Sequence, residues 1–393
     1  MQGRQAVSDI DFKHLTAIER SRMNWRGTAL RLCNVAGMPI FEPFVRLAAG
    51  EDPKEQFKGI AKFVLLPIVA IALFVGAWSL AAKTVVTESM QLPSPSATWQ
   101  AGADLFAMHF AQRAEDRVKK DEMLSEAIVF MVQAKSLENQ AIAASSSDKE
   151  TLLANALIYK KKAVQAANYV PSSAPTFIDQ IFTSLKTVFF GFAIATLIAV
   201  PLGVLCGMSP WFNAALTPAI QMFKPVSPLA WLPLASLVII WAYSNSQPGE
   251  TFFEKAFLIS AVTVSLCSLW PTLVNTTLGV ASVDKDYLNV ARVLKLTWSQ
   301  KLFKIILPAS LPLMFAGLRI SLGVGWMVLI AADMLAQNPG LGKFVWDEFQ
   351  NGSSTTYARI AFSVLIIGLI GLVLDRIMIC LRNMVSFGNP VAG

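Results

Sequence analysis

The sequence predicts an all-α membrane protein with six transmembrane helices, interrupted after the first by a helical insertion. Three observations carry that prediction. Only 15% of the 393 residues are charged while 54% are hydrophobic; soluble domains are about half apolar too but about a quarter charged, so the missing charge is the signal. Charge-free runs such as Phe63 to Ala82 and Thr187 to Phe223 recur along the chain, and about 20 apolar residues at 1.5 Å each cross roughly 30 Å of hydrocarbon. Lys and Arg gather in short segments beside those runs, as they do on the side of a membrane that retains positive charge.

Residues 1–58 are expected in the cytoplasm, because the first thirty lack an apolar core and a small-residue cleavage site. Within them, Leu15 to Val35 intersperses Arg20, Arg22, Arg26 and Arg31 with apolar side chains. That pattern reads either as a helix lying on an anionic membrane face or as a solvated tail. Residues 59–82 form the first transmembrane helix, with the N-terminus inside. Residues 83–175 turn polar, with Leu124, Ile128, Met131 and Val132 at helical spacing. Ser147 to Glu150 reads as a capping box, and the SSSD run at 145–148 as the turn of a hairpin. Long loops translocate whatever their charge, so Lys160 to Lys162 is compatible with a periplasmic helical hairpin.

Residues 176–387 hold five more spans, expected over Phe182 to Met208, Trp211 to about Tyr243, Ala256 to about Leu278, Ala309 to Leu335 and Ile360 to Leu374. Ser209-Pro210 turns the chain between the first two. Prolines in the stretch Lys224 to Leu234 free carbonyls inside the membrane, which is tolerated only beside protein or a water cavity, so Pro228 and Trp231 are candidates for the lining of a path. Gly317, Gly323 and Gly325 are expected to let helices pack closely. Residues 388–393 form a short tail, and both termini are expected in the cytoplasm. The inner loop 284–308 carries five Lys or Arg while outer loops 244–252 and 338–356 together carry one, which agrees with this topology.

The stretch Asp284 to Pro312 is polar, basic and helical in pattern between two apolar spans. Val290, Val293, Leu294 and Leu296 line a first short helix; Leu302, Phe303, Ile305 and Ile306 mark a second that runs into Leu307-Pro308. A short helical pair on a membrane surface offers a partner a rigid handle.

Tyr287-Leu288-Asn289-Val290-Ala291-Arg292, followed at matching distance by Leu307-Pro308, resembles the cytoplasmic "EAA" loop of ATP-binding-cassette importer permeases. Asn289 stands where that motif has an acid and Lys295 where it has a glycine. These departures are similar to the nitrate, cyanate and bicarbonate branch. Lys224 to Leu234 resembles a proline-rich stretch of the taurine, sulfonate and nitrate permeases, and Ala316-Gly-Leu-Arg319 the helix that follows the loop. The resemblance covers about Phe177 to Phe387. It implies the fold of type I ABC importer permeases in a bacterial inner membrane. Tyr287, Leu288, Asn289, Val290, Ala291, Arg292, Lys295, Leu307 and Pro308 would couple to separate cytoplasmic ATPases that use ATP and magnesium. A periplasmic binding protein would deliver a small inorganic anion to two such permeases. Nitrate or nitrite leads, with bicarbonate, cyanate or sulfonate/taurine as alternatives. Residues 83–175 lie outside the resemblance and read either as a dock for the binding protein or as lateral packing.

No catalytic, cofactor or metal site is expected. Gly340-Leu-Gly342-Lys343 lacks the spacing and hydroxyl of a phosphate-binding loop. The four cysteines are scattered and the two histidines isolated. Nucleic acid is not expected as a partner, since the net charge of +7 is spread beside apolar runs. Arg319 and Asp333 are intramembrane charges on one helix, where charges face a cavity or a partner. Arg319 reads as a cation beside an anion path, as half of a structural pair or as an arginine snorkelling to the interface; Asp333, near the outer boundary, as part of an outer gate or a contact with the binding protein. Ser321, with Thr263, Ser265, Asn275 and Thr276, offers hydrogen bonds across helices or donors to an oxyanion. A secondary transporter would need an internal repeat and midplane charges. A membrane-anchored scaffold, with the hairpin as its active part, is the other reading from a different class.

Overall fold

The structure, a computed structural model, describes residues 25–30, 33, 41–50, 53–85, 92–143, 145–171, 173–244 and 253–385, and these are helical with short connections. Most of the predicted surface segment Leu15 to Val35, the loop 245–252 and the tail from 386 lie outside the described residues. Two compact units are formed, one by Trp99–Phe182 and the other by the rest.

In the larger unit, α1 (Glu42–Ala48) and α2 (Pro53–Ile60) precede α3 (Leu66–Thr84). A wide turn over Ala61–Leu65 joins α2 to α3 without a break, so that 32 residues form one continuous helix, polar at its start and apolar beyond Lys62. The turn is wide because of Pro67, which has no N–H to give and whose ring crowds the carbonyl four residues back. The Leu66 amide donates instead five residues back, to Ala61.

The smaller unit is a helical hairpin of α4 (Pro95–Ala143) and α5 (Ser146–Ala167). Its seam is alanine: Ala127, Ala134 and Ala141 on one helix and Ala156 and Ala163 on the other are buried at seven-residue spacing. The predicted stripe of Leu124, Ile128, Met131 and Val132 is exposed instead. Small side chains let the backbones approach closely, and the larger ones are left on the flanks. Phe130 packs on Tyr159 across the pair. The helix begins two residues before the expected cap: Ser145, in extended conformation, is the N-cap and its hydroxyl donates to Asp148. His109 binds Thr176, Gln112 the Ala174 carbonyl, and Asp116 accepts from Ser173, so the returning strand of chain is laced to α4. His109 is therefore a structural partner of Thr176.

The core follows as α6 (Phe177–Met208), α7 (Pro210–Phe223), α8 (Pro228–Ala242), α9 (Lys255–Ala281), α10 (Lys285–Val293), α11 (Trp298–Lys301), α12 (Leu307–Ala336), α13 (Leu341–Asn351) and α14 (Ser354–Val385). Five helices are long and apolar enough to cross a membrane, and the α7–α8 pair makes a sixth if it is counted as one span. The span expected from Trp211 to about Tyr243 is made of two helices, α7 and α8, with a bend of 104° between them. Ser227 caps α8 by accepting from the Leu229 amide, and Pro228 at its first position suits a helix start rather than a continuation. The expected outer loop 338–356 is mostly α13, whose start is pressed against α12.

Helix α9 is the most buried, between α6 and α12. A Cβ on Gly203 would lie 2.6 Å from Thr276 Cβ, on Gly207 2.5 Å from Val280 Cβ, on Gly317 2.6 Å from Asn275 Cβ and on Gly325 2.6 Å from Ser268 Oγ. Gly317 and Gly325 thus pack as expected, whereas Gly323 faces open space. We expect Gly203→Leu to cost roughly 1–3 kcal/mol by overpacking and to reduce the monodisperse fraction on size-exclusion chromatography. Gly76→Leu, where nothing lies within 4 Å, is expected to leave that fraction unchanged.

Candidate functional site

The basic loop is built of two capped pieces. Asp284 opens α10 by accepting from the Asp286 amide. Ala291, 3% exposed, faces inward, while Tyr287, Val290 and Val293 point outward, Val293 at 81% exposure. Asn289 and Arg292 are exposed and linked by a long hydrogen bond, and Leu288 is half-buried against the cluster of Val204, Val280, Leu302 and Ile306. An outward row of one aromatic and two branched apolar side chains, flanked by Arg292 and Lys295, is a surface suited to a protein partner.

The end of α10 explains the position of Lys295. The Leu296 amide donates to Ala291 and the Lys295 amide to Arg292, the paired bonds of a Schellman turn. That turn holds Lys295 at φ 49°, in the left-handed region, where a side chain costs about 1–2 kcal/mol. Glycine avoids that cost, which accounts for a glycine in the related motif. Thr297 and Gln300 then form a reciprocal capping box that starts α11.

From Trp298 the helix runs unbroken for 39 residues to Ala336, through a second wide turn at Leu302–Ile306. Leu307 and Pro308 repeat the arrangement at Leu66 and Pro67: the Leu307 amide donates five residues back, to Leu302, and the proline follows. The expected run of the second loop helix into Leu307-Pro308 is found. A rod of 39 residues is about 58 Å long, so it crosses the apolar layer and carries the loop on its end.

At its far end the rod is tied down by buried polar groups. Asp333, 0% exposed, accepts from Ser184 on α6 at 2.8 Å and from Asn338 at 2.7 Å. Ser184 accepts in turn from the Leu341 amide at 2.8 Å, and Asn338 donates to Thr187. Gly340 and Gly342 let α13 approach: a Cβ on either would meet Asp333 at under 3.0 Å. The glycines of the Gly340-Leu-Gly342-Lys343 run are contact glycines, and Lys343 pairs with Asp347 on the same helix.

The other expected path residues are placed apart. Ser321 is buried, pairing with the Thr272 hydroxyl at 2.7 Å and accepting from the Thr272 amide at 3.0 Å, just after Pro271 breaks the α9 ladder. Asn275 donates to Pro271 and Thr263 to Ile259, within their own helix. Pro228 starts α8, and Trp231 packs on Phe223, which stacks on Trp270. Both indole N–H groups are buried without an acceptor among the described residues. Arg319 is paired with Asp375 on α14, a partner that spacing alone does not reveal. Among the described residues no group of His, Cys, Asp and Glu could hold a metal ion.

Lys295→Gly is expected to stabilise the end of α10 by about 1 kcal/mol. Amide hydrogen exchange at Leu296 should then slow by about fivefold, and Lys295→Val should speed it. Equal exchange in the three proteins would show that the left-handed residue is without consequence.

The description "binding-protein-dependent transport system inner membrane component" fits residues 199–385. The nitrate import permease protein of Synechocystis sp. is 37% identical over 206 residues, 52% of this chain and 69% of that one. The corresponding nitrate permease of Synechococcus elongatus is 34% identical over 207 residues, 53% of this chain and 69% of that protein. The bicarbonate transport system permease protein of Synechococcus elongatus is 37% identical over 205 residues, 52% of this chain and 68% of that one. The family description thus takes in the basic loop and the whole rod, and the chain belongs to this family of binding-protein-dependent inner membrane permeases, on its nitrate and bicarbonate branch.

Proposed function

We propose that this chain carries a small inorganic anion, nitrate or nitrite first, into a bacterial cell as the permease of an ATP-driven importer. The observation that carries the reading is the exposed row Tyr287, Val290 and Val293, held rigidly on the end of a continuous membrane-crossing helix. A separate ATPase gripping that row could move the rod without any bond chemistry in this chain. ATP and magnesium would stay with the ATPases, a periplasmic protein would deliver the anion, and a second permease, most simply another copy, would complete the path. Both termini would then lie in the cytoplasm and the α4–α5 hairpin in the periplasm, as a dock for the binding protein. On this reading Pro228, Trp231 and Arg319 border the path, and the Ser321 and Asp333 contacts hold its helices from within. Bicarbonate is the second reading, supported by the equal 37% identity of a nitrate and a bicarbonate permease.

Val293→Asp places a charge at an 81% exposed position and leaves the packing of Ala291 alone, so the fold should persist. Loss of a central apolar anchor costs about 2 kcal/mol or more at an interface. Pull-down of a soluble nucleotide-binding ATPase with the detergent-solubilised chain should therefore fall at least about tenfold. Uptake of isotopically labelled nitrate, compared with labelled bicarbonate, would then choose the anion. If no ATPase accompanied even the native chain, a secondary transporter or a scaffold would be the better reading.

A further inference from the structure

The guanidinium of Arg319 on α12 meets the carboxylate of Asp375 on α14 in a two-point fork, Nε to Oδ1 and Nη2 to Oδ2, the latter at 2.9 Å. Arg319 lies roughly 18 Å along its helix from Leu307 and roughly 26 Å from Ala336, well inside an apolar span. Yet the chain does not bury the pair: the side chains are 42% and 37% exposed. The fork uses two of the five guanidinium N–H donors, and among the described residues nothing accepts from the other three. Against hydrocarbon such unsatisfied groups cost several kcal/mol. Nor do the described residues roof the fork. Gly323, one turn beyond Arg319, and Gly368, two turns before Asp375, both face open space. The flank is rigid, since Trp326 lies against Gly371 and donates to the Ile367 carbonyl at 3.0 Å. A charged, half-open, rigidly walled pair, its arginine within the apolar stretch of α12 and its aspartate next to Leu374, where the last span is expected to end, belongs beside water.

We propose that Arg319 is a binding site for a planar oxyanion, and that Asp375 occupies it until the anion arrives. The chemistry of the fork identifies the class. A carboxylate offers two oxygens on a planar carbon to the parallel N–H groups of arginine. Nitrate and bicarbonate offer the same pair of oxygens on a planar centre with a single negative charge, and so replace Asp375 atom for atom. Sulfate can also bridge the two N–H groups, but its second negative charge is left without a partner beside a single guanidinium, and chloride offers one atom in place of two planar oxygens. In the exchange the guanidinium is never uncompensated, and the released carboxylate turns to the water of the path. The proposal rests on the reading of this chain as an anion permease and adds to it a residue that competes with the cargo.

The test is water access and its protection by anions. In the complete transporter, reconstituted in liposomes with Cys33, Cys206, Cys267 and Cys380 replaced by Ser or Ala, Gly323→Cys is treated with a charged, membrane-impermeant methanethiosulfonate. Met327→Cys, one turn further and also exposed, serves if the first variant fails to assemble. Modification should proceed and be slowed by nitrate or bicarbonate, but not by sulfate or chloride at equal ionic strength. Protection should vanish with Arg319→Gln. With Asp375→Asn it should need up to about fivefold less nitrate, the size of an exposed ion pair no longer competing. Labelling only by a lipid-soluble maleimide, or none, would put the face against lipid or another chain and overturn the proposal. So would labelling that nitrate and bicarbonate leave unslowed, or protection indifferent to Asp375→Asn. ATP-driven uptake in the same vesicles is read separately: protection without uptake supports the anion site and counts against the importer reading, while uptake without protection does the reverse.

Discussion

Inside hydrocarbon there is no water to take up a backbone group that loses its partner, and the helices of this protein are arranged around that constraint. Prolines stand in or beside nearly every apolar span, and the described structure shows how some of the freed groups are recovered. Before Pro67 and Pro308 the helix widens by one residue, and the amide of the preceding leucine reaches five residues back. After Pro271 the recovery comes from another helix: Ser321 on α12 takes the Thr272 amide. The first solution is internal to one helix and keeps it a rod. The second requires a neighbour and locks α9 to α12. The two kinds of proline site therefore divide the core into parts that stay straight and parts that are joined.

That division bears on how force would pass through the molecule. The helix from Trp298 to Ala336 has its loop end capped by Thr297 and Gln300 and its far end held by Asp333, Ser184 and Asn338. Capping at one end and a buried polar knot at the other leave little room for the helix to fray. Removing a single member of the knot would strand a buried carboxylate or amide, and such a loss costs more than the bond itself is worth. On the importer reading, a displacement at α10 would be handed to the far side of the membrane as a tilt of the whole rod. Glycine contacts of α9 with α6 and α12 would then act as the pivot, since the backbones there are too close to slide past one another.

Much of this was legible in the sequence, where the signal was local. The end of α6 at Met208, the turn at Ser209-Pro210 and the passage of the loop into Leu307-Pro308 follow from the chemistry of proline and from helical spacing. The features that escaped depend on what lies opposite. In the hairpin the apolar side chains showed helical spacing but not the seam, which alanines at seven-residue spacing make, because small side chains let the two helices meet. The 104° bend between α7 and α8 needs a hinge whose angle no periodicity encodes. Gly323 looked like the packing glycines Gly317 and Gly325, yet only those two meet a neighbour. The partner of Arg319 lies 56 residues away, and only the packing of α14 on α12 brings it there.

The two intramembrane charges of α12 end in opposite circumstances, and the difference separates structure from transport. Asp333 is enclosed, and its oxygens are taken up by hydroxyl and amide donors of the same chain, so it can hold α6, α12 and the start of α13 together with no need of solvent. Arg319 is half-exposed and has donors to spare. A fully satisfied arginine would be a poor ligand, and a bare one would bind an anion too well to release it. A guanidinium balanced by a nearby carboxylate lies between these limits. It keeps the net charge of the empty path near zero, yet it can exchange one planar pair of oxygens for another at a cost of about 1 kcal/mol, the scale of an exposed ion pair. A carrier whose delivery step is driven by a separate ATPase needs a site no stronger than that, because anything tighter would slow release on the receiving side.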